Sequence, residues 1–322
     1  MNSCVSRVLV DRAQSYRRAA RGKRFATFAV VVALGFALVA CRPFQRWDAA
    51  AERYMTFGGV HRSYRVHVGG GARAGRPLVL VLHGMGGSSE AIERRTSRSF
   101  DRLADRDGAV IVYPDALGAP SRWSDGWGEG GLAAGVTDDV GFLAAIIERL
   151  VRDEGVDPKR VFSAGFSNGA SMVYRLACDR PNLIAAIAPV SGGMALDIMR
   201  RCAAGRPIPL LAMHGTEDPM VPLDRELRAG VAAWVRRDGC NDAPTSVTPL
   251  PDADPGDGTR TRIERYAPCA AGGEVSFYEI EGGGHAWPGG TPPFGFRNRG
   301  RSPRDFDAAD AVWAFFLQHP MP

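Results

Sequence analysis

The sequence has few histidines, few cysteines and, after its first 40 residues, no excess of charge. It contains six residues of each kind among 322. Residues 1–40 hold seven lysines and arginines against one acid, a net charge of +6, which leaves −1 for the rest because the whole chain carries +5. A nearly neutral body lacks the basic face that binds nucleic acid, so we expect no nucleic-acid partner.

The hydrophobic stretch at residues 25–40 is short for a membrane span. Its 16 residues follow a basic segment, which is the order typical of a secretory signal peptide. The stretch closes on "LVAC", which ends at Cys41 and resembles the lipobox of bacterial lipoproteins. We therefore predict a signal peptide over 1–40, lipid attachment at Cys41 and a tether over 41–52. An ordinary signal peptide, or a membrane anchor with an unmodified Cys41, is the alternative.

The cysteine count fits an exported protein of the bacterial envelope, either lipid-anchored in the periplasm or outer membrane, or secreted. With Cys4 in the signal peptide and Cys41 assigned to lipid, an even four remain: Cys178, Cys202, Cys240 and Cys269. Four cysteines allow three pairings. We favour Cys178 with Cys202 and Cys240 with Cys269, because such local links each constrain the unfolded chain by roughly 3 kcal/mol. Buried free thiols are the alternative.

The pattern of apolar residues predicts one α/β domain over residues 53–322. Residues 53–69 alternate between apolar and polar types, which predicts an antiparallel hairpin. From residue 77 onward, unbroken apolar runs alternate with stretches of helical period, which predicts a mostly parallel, doubly wound sheet covered on both faces. Strands are expected at 77–84, 109–115, 160–166, 184–193, 209–215 and 274–282, and helices near 89–106, 138–153, 168–178, 224–237 and 306–317. Long loops at 116–137 and 241–261 interrupt this order.

The pentad G-x-S-x-G at Gly165–Gly169 marks a candidate nucleophile, Ser167. In a chain with 39 glycines the pentad alone is weak evidence. Its position is more informative, because the nucleophile elbow of an α/β-hydrolase lies between a strand and a helix, where glycines relieve crowding. Ser163 lies within the strand and Ser171 one helical turn further on, so neither has this exposure.

A nucleophilic serine needs a base and an acid that orients the base, and in α/β-hydrolases they follow it in the order acid, then histidine. Asp218, with Glu217 as its rival, lies on the loop after the strand at 209–213. His285 lies on the glycine-rich loop after the next strand. The other histidines lie in the hairpin, in the tail or at two turns before the required position: His61, His67, His319, His83 and His214.

The same chemistry requires backbone donors for an oxyanion. The residue after the serine, Asn168, supplies one amide, and the loop "HGMGGSS" supplies another. We choose Met85 in that loop, with Gly86 as the near alternative. We expect no cofactor and no metal, because the acids and the glycine of "PDADPGDG" (251–258) miss the register of a calcium loop by one position.

These motifs resemble the secreted α/β-hydrolase esterases that include polyhydroxybutyrate depolymerase-like proteins and feruloyl or acetylxylan esterases. The resemblance extends over residues 53–317 and rests on "LHGMGGS", "DDVGFLAAII", "DPKRVFSAGFSNGASM", "HGTEDPMVP" and "GGGHAWPGG". It implies hydrolysis of a small-molecule or polymer-derived ester through an acyl-enzyme, with Ser167 as nucleophile, Asp218 as acid and His285 as base.

Three tryptophans are candidates for substrate contact. By the resemblance, Trp287 is a candidate to line the acyl or aryl pocket. Trp123 and Trp127 are candidates for a stacking platform, with burial of at least one of them as the alternative.

The primary interpretation is a polyhydroxybutyrate depolymerase-like esterase. A feruloyl or acetylxylan esterase acting on plant or envelope glycan esters is the alternative. A serine peptidase of the same fold and a non-catalytic envelope-binding lipoprotein are further alternatives.

Overall fold

The computed structural model describes residues 50–71, 74–127, 138–202, 205–292 and 299–322. The predicted signal peptide, Cys41 and most of the tether lie outside these residues, as does the 128–137 part of the first long loop. The strands are β1 Ala51–Phe57, β2 Val60–Val68, β3 Arg76–Leu82, β4 Val110–Pro114, β5 Val156–Phe166, β6 Ala186–Val190, β7 Leu210–Gly215, β8 Ser246–Pro249, β9 Arg260–Tyr266 and β10 Val275–Glu281. The α-helices are α1 Ser89–Arg95, α2 Ser99–Asp107, α3 Asp139–Glu154, α4 Asn168–Asp179, α5 Leu196–Arg201, α6 Arg225–Arg237 and α7 Ala308–Gln318.

All ten strands of the described ranges form one sheet in the order β1-β2-β4-β3-β5-β6-β7-β10-β9-β8. The six central strands, from β4 to β10 in this order, run parallel. The β1–β2 hairpin and the β9–β8 pair are antiparallel and lie at opposite edges. The expected mostly parallel sheet with an N-terminal antiparallel hairpin is confirmed.

Helices cover both faces of this sheet, because the central strands are apolar on both sides. Leu78, Leu80 and Leu82 of β3 face one core, which they share with α3, α4 and α6. Val79 and Val81 face the other, which they share with α1, α2 and α7. The doubly wound arrangement expected from unbroken apolar runs is therefore present.

The helix expected near 89–106 is two helices in the structure. The chain leaves α1 after Arg95 and turns through Ser97 and Arg98, both with left-handed backbone (φ 52° and 56°). The turn brings Arg98 back to the buried carboxylate of Glu93, 3.3 Å from its guanidinium. Ile92 before the turn and Phe100 after it are eight residues apart, a spacing that the apolar face of an uninterrupted helix also has, so the apolar pattern alone does not reveal the break.

The polar segment at 241–261, expected to be a loop, contains β8 and the start of β9. All four residues of β8 are exposed at the sheet edge, so it lacks the apolar pattern that identifies a strand. The structure contains the disulfides Cys178–Cys202 and Cys240–Cys269, the pairing favoured from the sequence, and the second one encloses this edge. No helix in the described ranges is both long enough and apolar enough to cross a membrane.

Candidate active site

Ser167 lies on a strained turn between β5 and α4. Its backbone has φ 57° and ψ −121°, a conformation that costs free energy and persists only where the surroundings impose it. A Cβ on Gly165 would lie 2.4 Å from the carbonyl oxygen of Gly169. A Cβ on Gly169 would lie 2.5 Å from the carbonyl oxygens of both Leu82 and His83. Both glycines of the pentad are therefore required by close backbone contacts, as a nucleophile elbow demands.

Three expected site residues meet at the carboxyl edge of the sheet. His285 Nε2 lies 3.0 Å from Ser167 Oγ, and His285 Nδ1 lies 2.7 Å from Asp218 Oδ2. Ser167 follows β5, Asp218 follows β7 and His285 follows β10, so three strands of the parallel run β5-β6-β7-β10 bring them to one edge of the sheet. The rival acid, Glu217, has 62% of its side chain exposed and pairs with Arg301.

The carboxylate of Asp218 is held by the backbone on one side and meets His285 on the other. Its Oδ1 accepts hydrogen bonds from the amides of Met220 (2.8 Å) and Val221 (2.9 Å), which leaves Oδ2 for the histidine. Both Asp218 and His285 are buried. Charge-assisted hydrogen bonds of this kind fix the orientation of the acid and, through it, of the imidazole.

Two other histidines, assigned to turns from the sequence, support this arrangement. His83 donates from Nδ1 to the Gly84 carbonyl (2.8 Å) and accepts at Nε2 from the Ala116 amide (3.0 Å). His214 donates from Nε2 to the Val221 carbonyl (2.7 Å), beside Asp218. Burial lowers the pKa of both histidines, so both are neutral at pH 7. The sequence signal for these two supporting roles was that His83 directly follows β3 and His214 lies at the end of β7, next to the loops that carry the site.

The amides of the two expected oxyanion donors, Asn168 and Met85, have no acceptor among the described residues. Asn168 is the first residue of α4, so the helix leaves its amide without an internal acceptor. The Gly86 amide donates to the Ser121 carbonyl (2.7 Å), whereas the Met85 amide has no acceptor among the described residues. The geometry thus favours Met85 over Gly86.

The side chain of Asn168 has a second connection that sequence reasoning missed. Its Oδ1 accepts from the Trp123 amide (2.8 Å), and its Nδ2 donates to Asp125 Oδ2 (2.6 Å). Asp125 Oδ1 in turn accepts from the Trp127 amide (3.1 Å). Burial raises the pKa of Asp125, partly offset by these hydrogen bonds. The residue after the serine therefore anchors the tryptophan loop.

The three tryptophans have different surroundings. Trp123 is 0% exposed, with its Nε1 donating to the His83 carbonyl (2.9 Å), so its expected role in a stacking platform is wrong. Trp287 is 2% exposed and packs edge-on against Phe100, with ring centroids 6.0 Å apart. It does not line either of the two larger cavities at Ser167, so its expected role in the acyl pocket is also not supported. Trp127 alone of the three lines such a cavity.

Two cavities open on Ser167. The first, called the Trp127 cavity, has a volume of about 370 Å³ and is lined by Trp127, Leu227 and Asp125 among others. The second, called the Arg95 cavity, has a volume of about 380 Å³ and is lined by Arg95, Arg299, Phe166 and His285 among others. Ser167 and Met85 line both, so an ester at the serine has room on each side. The described residues contain no cluster of three or more metal-ligating side chains.

Comparisons with known proteins agree with this geometry. A family model described as esterase PHB depolymerase matches residues 62–219. Over 288 residues the chain is 33% identical to a protein of Nocardia uniformis subsp. tsuyamanensis named as an esterase, NocK, with 82% of each chain covered. The chain belongs to this esterase family.

Another relative extends the comparison to named feruloyl esterases. The chain is 30% identical over 258 residues to feruloyl esterase D of Neurospora crassa, with 74% of this chain and 80% of the relative covered. Among solved structures, acetyl xylan esterase from Aspergillus awamori superposes with a TM-score of 0.59 at 16% identity, over 83% of this chain and 98% of that one. This likeness shows the α/β-hydrolase fold, and membership of the esterase family makes the protein a carboxylic ester hydrolase.

Proposed function

We propose that this protein is an exported serine carboxylesterase that acts through an acyl-enzyme on Ser167. The observation that carries the proposal is the continuous chain of hydrogen bonds from Asp218 through His285 to Ser167, with distances of 2.7 and 3.0 Å. Burial of the acid and the histidine excludes water from this chain and strengthens its electrostatics.

In the first half of the reaction, His285 Nε2 takes the proton of Ser167 as Oγ attacks the ester carbonyl carbon. The carbonyl oxygen becomes an oxyanion and accepts hydrogen bonds from the amides of Met85 and Asn168. The carbon–oxygen bond to the alcohol then breaks, and the imidazolium gives its proton to the leaving oxygen. In the second half, His285 activates a water molecule that releases the acid and restores Ser167.

The substrate proposed is a hydroxyalkanoate-type ester, as in polyhydroxybutyrate depolymerase-like esterases. A feruloyl ester is a second candidate, because a relative covering 74% of this chain is named feruloyl esterase D. Turnover of a hydroxyalkanoate ester, a feruloyl sugar and an acetylated glycan, compared on one enzyme preparation, separates these candidates.

Export is supported by the two disulfides, which form and persist in oxidising compartments. The basic leader and the hydrophobic stretch that ends before Cys41 support a signal peptide with lipid attachment. Mass analysis of the mature N-terminus tests this part, since an unmodified Cys41 contradicts lipid anchoring.

The central test is covalent labelling by a fluorophosphonate together with hydrolysis of p-nitrophenyl acetate. Ser167→Ala is expected to abolish labelling and to lower kcat at least about ten-thousandfold, because the nucleophile is removed. The matched control is Ser163→Ala, whose hydroxyl is buried in β5 without a partner. Labelling of Ser167→Ala at the rate of the control would exclude Ser167 as the nucleophile.

A further inference from the structure

The two cavities at Ser167 carry different charges. No described aspartate or glutamate lines the Arg95 cavity, whereas Arg95 and Arg299 both do. The Trp127 cavity is lined by three carboxylates and one arginine. A ligand group in the Arg95 cavity therefore meets positive charge, and one in the Trp127 cavity does not.

Arg95 has no counter-ion among the described residues. Its half-buried guanidinium lies over the ring of Phe166, 4.4 Å from the ring centroid, at the end of α1. Burial and the nearby charge of Arg299 lower the pKa of Arg95 to about 10, which leaves it protonated at neutral pH. The preceding residue, Arg94, is exposed and pairs with Glu90. A partly desolvated cation without a partner is costly, and an anion brought by a ligand offsets that cost.

The position of His285 indicates which half of an ester enters this cavity. The imidazolium must give its proton to the oxygen of the departing alcohol, so the alcohol lies on the side of the histidine. His285 lines the Arg95 cavity and does not line the Trp127 cavity. The alcohol half therefore points toward Arg95, and the acyl half toward Trp127.

We propose that Arg95 binds an anionic substituent on the alcohol half of the ester, so that esters of anionic alcohols are preferred to esters of neutral alcohols. This inference rests on the proposed function, since it assigns the orientation from the reaction of Ser167 and His285. A carboxylate or a phosphate on the alcohol provides the anion, and a planar guanidinium binds either by paired hydrogen bonds.

The experiment compares acetate release from three small esters. They are 3-acetoxybutanoate, its neutral analogue 3-acetoxybutanamide, and 2-acetoxyethyl phosphate. The wild type is expected to show a kcat/KM about tenfold to a hundredfold higher for an anionic ester than for the amide, the range of one charged hydrogen-bonding group. Preference for 3-acetoxybutanoate identifies a carboxylate ligand, and preference for the phosphate identifies a phosphate ligand.

Arg95→Gln is expected to reduce the ratio of anionic to neutral kcat/KM to near one, and Arg95→Lys to restore part of it. Arg94→Gln, the matched control on the same helix, is expected to keep the wild-type ratio. An unchanged ratio in Arg95→Gln overturns the proposal, as does a wild type without charge preference.

A measurement on the wild type alone covers the case in which Arg95→Gln does not fold. Inhibition of p-nitrophenyl acetate hydrolysis by 3-hydroxybutanoate is expected to be at least about tenfold stronger than by 3-hydroxybutanamide. Equal inhibition overturns the proposal. A wild type that hydrolyses neutral and anionic esters equally overturns this proposal and leaves the proposed function standing, whereas a wild type that hydrolyses none of the tested esters, neutral or anionic, contradicts both.

Discussion

The Trp127 cavity and the Arg95 cavity both open on Ser167, and they differ in whether their charged groups already have partners. In the Trp127 cavity, Asp125 accepts hydrogen bonds from Asn168 and Trp127, and Asp224 caps α6 by accepting from the amides of Glu226 and Leu227. In the Arg95 cavity, Arg95 has no described counter-ion. The acids on one side thus maintain the wall of the site, and the cation on the other is available to a ligand.

This difference suits the chemistry of an ester, whose two halves leave the enzyme at different times. In the proposed reaction, the alcohol half departs first and the acyl half stays on the serine until water releases it. In the proposed orientation, a charged contact on the alcohol side orients the substrate before the first bond breaks, whereas on the acyl side Trp127 and Leu227 are available to contact the intermediate.

The largest effect is expected at the machinery that both cavities share. Asp218→Asn should lower kcat about ten-thousandfold, because the amide no longer stabilises the imidazolium or fixes its tautomer. The loss should be equal for 3-acetoxybutanoate and 3-acetoxybutanamide, since Asp218 lines neither cavity. The matched control is Glu217→Gln, an exposed neighbour, which should retain the activity of the wild type. A loss in the control as large as in Asp218→Asn would reopen the choice of the acid.

A smaller effect is expected from a substitution in the Trp127 cavity, which should change the preference for the acyl chain and not the preference for an anionic alcohol. Asp125 accepts from both Asn168 Nδ2 and the Trp127 amide, and Asp125→Asn keeps one acceptor oxygen, so one of these donors faces an NH2 group and the loop that carries Trp127 is disturbed. The ratio of kcat/KM for p-nitrophenyl octanoate to that for the acetate should fall about tenfold, within the cost of one unsatisfied buried group. The preference for an anionic alcohol should persist. A control substitution of an exposed acid, Asp197→Asn, should leave both ratios unchanged. If Asp125→Asn alters the anion preference instead, the two cavities are not independent.

The smallest effect is expected on the stability of the protein, and it comes from Asp101 on α2, the helix that follows the one carrying Arg95. Burial raises the pKa of Asp101 in α2 from 3.8 to about 6. Between these values the folded state binds more protons than the unfolded state, so the free energy of unfolding falls as the pH rises from about 4 to about 6. In Asp101→Asn, the change in the free energy of unfolding between about pH 4 and pH 6 should be smaller by on the order of 1–3 kcal/mol. The amide oxygen of the variant can still accept the hydrogen bond from Tyr113. Urea unfolding at several pH values measures this change, and equal slopes in the two proteins would contradict the expected protonation of Asp101.

Much of the fold and the central contacts of the site were predictable from periodicity and chain order. Unbroken apolar runs identified the parallel strands, and the positions of Ser167, Asp218 and His285 after successive strands indicated that the three would meet. These inferences succeed because side chains at the ends of parallel strands share one edge of the sheet, whatever the loops do.

The rest depends on the directions of side chains in loops, which no periodicity encodes. Trp123 and Trp127 stand four residues apart in one loop, yet one is fully buried and the other lines a cavity. The turn after Arg95, which separates α1 from α2, was hidden by apolar residues that continue on both sides of it. Arg95 stands out because no described carboxylate pairs with it, and the sequence alone does not show which side chains lie near one another in the fold.

The two roles of Asn168 limit how the acyl side of this enzyme can be redesigned. One residue supplies a backbone amide beside the serine and, through its side chain, holds the loop of Trp127. Remodelling that loop to admit a bulkier acid therefore disturbs the turn on which the reaction depends. Leu227, which belongs to α6 and not to this loop, lines the same cavity. Libraries that vary Leu227 widen the acyl side while leaving the Asn168 contacts in place.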